Sequence, residues 1–152
     1  MKYLNPSKDD IRKTLSMLFD GDLVVSESDS QSDEQFVAVY VDEEEAPGAV
    51  VLCDKSFAVY AGAALSMMHP EVAKEMVVET ELPQNILDNL HEIMNICTGL
   101  IIGESTPHLR LNSVGLVGDT DAVNRINDTV NRGDYQVEIP TYGAGALSFL
   151  VT

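Results

Sequence analysis

The chain of 152 residues carries 25 acidic and nine basic residues, which gives it a formal net charge of −16 at pH 7. Hydrophobic residues make up 45% of the sequence, so it can bury a core and lacks the composition of a disordered acidic protein. A surface this negative repels phosphate backbones and anionic lipid, which disfavours nucleic-acid and membrane partners. No apolar run reaches the roughly 20 residues of a membrane-spanning helix, and the start MKYLNPSKDD lacks the apolar core of a secretion signal. We therefore expect one cytoplasmic domain over residues 1–152.

The first third of the sequence predicts one helix followed by strands. Ser7 and the acids after it are typical of a helix start, and apolar residues then recur at helical spacing up to Gly21. LVVSES, QFVAVYV and GAVVLC are predicted strands, the last two forming a pair across an acidic turn. The acidic stretches Ser26–Glu34 and Asp42–Glu45 are typical of solvated loops. They are also compatible with a partner that presents lysines.

The remaining sequence predicts helices first and strands later. KSFAVYAGAALSMM and PEVAKEMV are predicted helices, and a long helix is predicted over Gln84–Ile101, with Gly103 as its stop. HLRLNSVGLV is a predicted strand, GDTDAVNRINDTVNRGD is ambiguous between helix and loop, and YQVEIP and ALSFLVT form a predicted hairpin joined by TYGAG. Strands in runs with single helices between them predict an α+β fold, with a largely antiparallel sheet and helices packed on one face.

The long predicted helix has a polar strip opposite its apolar side. With Asp88 set at zero and about 100° per residue, Glu92 falls at about 40° and Asn95 at about 340°. Asn85 and Gly99 lie in the same strip, which is about 80° wide. The side at about 180° is apolar and consists of Ile86, Leu90, Ile93, Cys97 and Ile101.

This strip has two interpretations. A glutamate and an asparagine three residues apart on an exposed helix face occur often by chance, which favours plain surface. Asparagine, however, is a poor residue inside a helix, because its amide competes for backbone hydrogen bonds. A helix docked on a sheet also holds its side chains firmly, which catalysis by positioning requires.

Metal and nucleophile chemistry have less support. Asp88 and Glu92 lie one helical turn apart and could hold a hard cation, as in a metalloenzyme, but no matching Asp, Glu or His pair occurs at a recognisable spacing elsewhere. We therefore predict no metal site. Cys53 and Cys97 lie in apolar surroundings without metal-ligand spacing, which predicts buried free thiols. No serine or cysteine has the local signature of a nucleophile.

The stretch D-N-L-H-E-I-M-N, from Asp88 to Asn95, fits the pattern Asp/Ser-x3-Glu-x2-Asn and resembles the CheC/CheX/FliY phosphatases of bacterial chemotaxis. FAVYAGAALSMM, a short helix and then ILDNLHEIMNICTGLI look like the corresponding helices of CheX-like proteins. The resemblance is strongest over about Ser56–Gly103. CheC and FliY carry two copies of the motif and this chain has one, which favours the CheX-like branch. The longer family pattern has a proline where this chain has Gly118.

The resemblance implies an α+β fold and removal of the phosphoryl group from the phospho-aspartate of a CheY-like response regulator. By this resemblance Asn95 would orient the attacking water, Glu92 would pair with a lysine of the receiver domain, and Asp88 would contact the partner at the motif's more variable position. The protein would need no cofactor of its own, since the receiver supplies Mg²⁺, and it would form a homodimer. The alternative is a non-catalytic CheX-like adaptor that binds a receiver domain or another signalling protein.

Overall fold

A computed structural model describes residues 2–28, 33–79, 81–126 and 130–152 of the chain. Parts of the acidic stretch Ser26–Glu34 and of the ambiguous segment therefore lie outside the described residues. The strands are β1 (Val24–Glu27), β2 (Phe36–Val41), β3 (Pro47–Cys53), β4 (Arg110–Leu116), β5 (Asn131–Ile139) and β6 (Gly143–Val151). They form one sheet in the order β1-β5-β6-β3-β2-β4, with every neighbouring pair antiparallel.

Helices pack on this sheet, which confirms the predicted α+β class. The α-helices are α1 (Lys8–Ser16), α2 (Lys55–Leu65), α3 (Pro70–Val78), α4 (Gln84–Ile96), α5 (Thr98–Ile101) and α6 (Ala122–Ile126), and a 3₁₀ turn spans Val117–Asp119. The helix predicted at Ser7 is confirmed: the Ser7 hydroxyl accepts from the Asp10 backbone N–H, and the Asp10 carboxylate accepts from the Ser7 N–H.

The central strands are buried on both faces. Alternate residues of β2 and β3 enter two different cores, which explains why both strands are continuously apolar. One core lies beneath α1, α2, α4 and α5 on the predicted helical face. The other is covered by Ala122 and Ile126 of α6, so α6 adds a cover to the opposite face that the sequence pattern did not indicate.

The terminal hairpin is longer than predicted. The turn is confined to Pro140–Tyr142, with Thr141 at a φ of 78°, and the GAG of TYGAG already belongs to β6. The preceding NRGD, which was ambiguous, is the start of β5 and pairs with the end of β6. The polar residues of NRGD do not alternate with apolar ones, so the sequence gives no strand pattern here. Pairing with β6 determines this part of the strand.

Close contact between α2 and β6 fixes where the helical layer sits. Asp54 caps α2 by accepting the Phe57 N–H at 2.8 Å, and its carboxylate also accepts the Ala146 N–H of β6 at 3.1 Å. A Cβ at Gly145 would lie 2.3 Å from the Phe57 backbone nitrogen. Only a glycine therefore allows this approach of the helix start to the strand.

Replacing Gly145 by alanine is expected to lower the free energy of unfolding by about 3 kcal/mol, because the methyl group would collide with backbone atoms that cannot rotate away. Gly115→Ala is the matched control in another strand, since a Cβ there meets no atom within 4 Å. Its stability should change by less than about 0.5 kcal/mol. Urea denaturation of both variants tests this, and equal stabilities would contradict the close contact.

Candidate functional site

The helix α4 is anchored by one apolar side. Ile86, Leu90, Ile93 and Met94 have no exposed surface, and they pack against α2 and the helical face of the sheet. Gly62 of α2 lies against Ile86, where an added Cβ would come within 3.1 Å of the Ile86 Cγ2. The predicted apolar side of this helix is confirmed.

Hydrogen bonds from two side chains fix α4 further. The buried Tyr40 hydroxyl of β2 donates to the Met94 carbonyl at 2.5 Å. On its flank, the Asn89 side-chain amide donates to the Gly62 carbonyl at 2.8 Å and to the Ser66 hydroxyl at 2.6 Å, both at the C-terminal end of α2. These hydrogen bonds fix the helix on the side that faces the sheet and on the side that faces α2.

The predicted helix over Gln84–Ile101 is interrupted, which corrects the expectation of one continuous helix. Cys97 separates α4 from α5. The Met94 carbonyl accepts the Tyr40 hydroxyl, although in an uninterrupted helix it would accept the N–H of residue 98. The break thus coincides with a hydrogen bond from a distant strand. It falls after Asn95, so all three motif residues remain on α4.

The polar strip faces away from the core. Asn85, Asp88, Glu92, Asn95 and Gly99 are all exposed. Asp88 accepts a hydrogen bond at 2.9 Å from the Gln84 side-chain amide, one turn earlier. Among the described residues, the side chains of Glu92 and Asn95 form no hydrogen bond or ion pair. Gly99 leaves open space, since a Cβ there would meet no atom within 4 Å.

Beside the strip lies an open groove of about 560 Å³ between α4, the start of β2 and the end of β4. Its apolar lining is formed by Phe36, Leu82, Leu87, Val114 and Leu116. Asp88 belongs to both the strip and the groove. Local sequence patterns do not predict this groove, because β4 is placed beside α4 by its pairing with the distant strand β2.

Within the described ranges, no three His, Cys, Asp or Glu side chains converge as metal ligands, and no helix there is long and apolar enough to cross a bilayer. Cys53 and Cys97 are buried and free, as predicted. Burial raises the pKa of the Cys97 thiol to about 12, which disfavours the thiolate form at neutral pH.

Comparison with known proteins identifies the fold. No known family profile and no curated protein matches the chain. Among solved structures, Thermotoga maritima FliY aligns with 97% of this chain and 85% of its own, at a TM-score of 0.58 and 16% identity. The FliM middle domain from H. pylori aligns with 95% of this chain and 84% of its own, at a TM-score of 0.54 and 8% identity. CheX in the CheX-CheY-BeF₃-Mg²⁺ complex from Borrelia burgdorferi aligns with 91% of this chain and 90% of its own, at a TM-score of 0.43 and 12% identity. The chain therefore has the fold of FliY and of the FliM middle domain, and FliY belongs to the family that the motif resembles.

Removing the hydroxyl that supports α4 should loosen this helix. Tyr40→Phe leaves the buried Met94 carbonyl without its donor, so the free energy of unfolding is expected to fall by about 1–3 kcal/mol. Amide hydrogen exchange in α4 should become faster. Tyr142→Phe is the control, because its hydroxyl donates to the Met68 carbonyl outside α4. If amide exchange in α4 is as slow in Tyr40→Phe as in the wild type, then this hydrogen bond does not stabilise the helix.

Proposed function

We propose that this chain is a phosphatase that hydrolyses the phospho-aspartate of a CheY-like response regulator, in chemotaxis or related two-component signalling. The observation that carries the proposal is the exposure of Glu92 and Asn95, without partners among the described residues, on a helix whose other side is immobilised. The shared fold with FliY adds support. A cytoplasmic location and a homodimer belong to the same proposal.

Asn95 is the residue proposed to act at the reaction centre. A phospho-aspartate is already a reactive acyl phosphate, and a receiver domain brings its own Mg²⁺ and lysine. Hydrolysis then requires a water held in line with the aspartate oxygen that leaves. A carboxamide can both accept from and donate to that water, and it brings no negative charge toward the phosphoryl group. Asn95 would bind and orient the water in this way.

Glu92 and Asp88 are proposed to hold the partner. Glu92 lies one turn before Asn95, so its carboxylate can pair with the receiver's lysine while the amide faces the phosphorus. Asp88, one further turn away, would contact the partner's surface at the edge of the strip. In this proposal the carboxylates contact cations of the partner, and the amide contacts the water that attacks phosphorus. The protein needs no metal of its own.

The proposed reaction is a simple hydrolysis. The water oxygen bonds to phosphorus, the bond between phosphorus and the aspartate oxygen breaks, and the electron pair of that bond leaves with the carboxylate. The products are the receiver's free aspartate and inorganic phosphate, and the protons of the water pass to the phosphate and to solvent. No covalent intermediate on this chain is involved.

The second candidate is a non-catalytic adaptor that binds a receiver domain through the same strip. The presence of Gly118 in place of the proline of the longer family pattern favours it. Gly118 lies in the 3₁₀ turn after β4, next to Asp119, which lines the groove. The two candidates differ in one measurable respect, since an adaptor binds the phosphorylated receiver without accelerating its dephosphorylation.

The test follows release of inorganic phosphate from CheY-like receiver domains of the source organism, phosphorylated with acetyl phosphate. Asn95→Ala is expected to lower kcat at saturating receiver by about a hundredfold or more, because the water loses its orienting group. Asn85→Ala is the matched control, since it removes another exposed amide from the same strip. It should leave kcat unchanged.

Three outcomes decide the proposal. An Asn95→Ala variant as fast as the wild type would overturn the mechanism. Binding of the phosphorylated receiver without faster phosphate release would establish the adaptor instead. Loss of activity in Asn95→Ala, with thermal stability and receiver binding retained, supports the phosphatase.

A further inference from the structure

We infer that the groove between α4 and β4 is the docking surface for the response regulator, and that it receives an apolar side chain flanked by a lysine or an arginine. This inference rests on the proposed function and names the surface that would select the partner. It is carried by the groove's apolar lining, by its charge and by its position beside the motif residues.

The apolar lining is open to solvent. Leu116, at the end of β4, is 50% exposed, and Leu82, Leu87 and Val114 are only half-buried. Phe36 lies at the closed side, buried in the main core. A concave apolar surface surrounded by polar groups is typical of a binding site, whereas single exposed apolar residues are ordinary.

The charges around the groove favour a cationic partner. Glu81, Asp88 and Asp119 line it, against the single ammonium of Lys55. Among the described residues none of these four side chains forms an ion pair. An apolar side chain beside a lysine or an arginine would fill the groove and neutralise its acids. A second copy of this chain, with a net charge of −16, fits less well because like charges repel.

The position of the groove makes it part of any docking over Asn95. Asp88 lies about 10 Å from Asn95 along the helix and lines the groove. A domain of about 100 residues has a radius of gyration of about 13 Å. A receiver domain whose phospho-aspartate meets Asn95 is therefore large enough to reach Asp88 and the groove beside it.

The experiment separates docking from chemistry. Binding is measured as the Kd of a CheY-like receiver loaded with beryllofluoride, an unreactive mimic of the phosphoryl group, and chemistry as kcat at saturating phosphorylated receiver. Leu116→Gln is expected to raise Kd about fivefold by making the lining polar, with kcat unchanged. Val78→Gln is the matched control, because Val78 is 84% exposed on α3 and does not line the groove. It should change neither quantity.

A second pair of variants tests the charge. Asp119→Asn is expected to raise Kd about threefold at low salt and less at high salt, since screening weakens exposed ion pairs. Glu75→Gln, an equal loss of charge on α3, is its control. A Kd that stays at the wild-type value in both Leu116→Gln and Asp119→Asn would overturn the docking surface.

The remaining outcomes identify which proposal fails. If the wild type binds the loaded receiver but releases no phosphate, the phosphatase fails, while raised Kd values in the groove variants still support docking. If phosphate is released and neither variant changes Kd, only the docking surface fails. If Leu116→Gln dissociates a dimer in sedimentation without changing Kd, the groove belongs to a second copy and the inference is overturned.

Discussion

The burial of one side of α4 is the constraint on which the site depends. Its four fully buried apolar side chains, Ile86, Leu90, Ile93 and Met94, each contribute roughly 1.5–3 kcal/mol relative to exposure. Turning the helix by one residue, about 100°, would forfeit much of that sum and break the Tyr40 contact. The outward direction of the polar strip is therefore set by the core beneath it. The backbone at Glu92 and Asn95 is held by the core, and both side chains are without partners among the described residues.

The charge of the chain acts at two distances. At long range, a net charge of −16 repels a phosphorylated partner, but salt screens this repulsion beyond about 8 Å at physiological ionic strength. At contact distance, individual charged groups determine which partner groups are attracted or repelled. In the proposed mechanism, the acid at position 92 attracts a cation of the receiver domain, and the uncharged amide at position 95 avoids meeting the phosphoryl group with a second negative charge. The strip thus combines the acidity of the whole surface with a neutral amide at the position where the proposed reaction would occur.

The sequence predicted what local periodicity encodes. The strip and the apolar side of α4 follow from the period of 3.6 residues, and the pairing of β2 with β3 follows from the turn between two apolar runs. What it missed depends on distant partners. The break at Cys97 involves the hydroxyl of Tyr40 from another element. The helix α6 packs on the second face of the sheet because that side of β2 and β3 is also apolar. The continuous apolar runs of these strands are compatible with a second cover but do not indicate which segment provides it. The groove was missed for the same reason, since β4 joins the sheet beside β2 across more than 60 residues.

The division between strip and groove bears on how such a protein would choose its substrate. Every receiver domain presents much the same phospho-aspartate, lysine and metal, so residues that address these groups cannot distinguish one receiver from another. Discrimination has to come from contacts with surface that differs between receivers. On this chain the groove meets the strip at Asp88, about 10 Å from Asn95 along the helix, and presents leucines and acids that form no ion pair among the described residues. Selectivity could therefore change through Leu116 or Asp119 while Glu92 and Asn95 stay as they are. The reverse does not hold, because a change at Asn95 would remove the hydrolysis of every receiver alike.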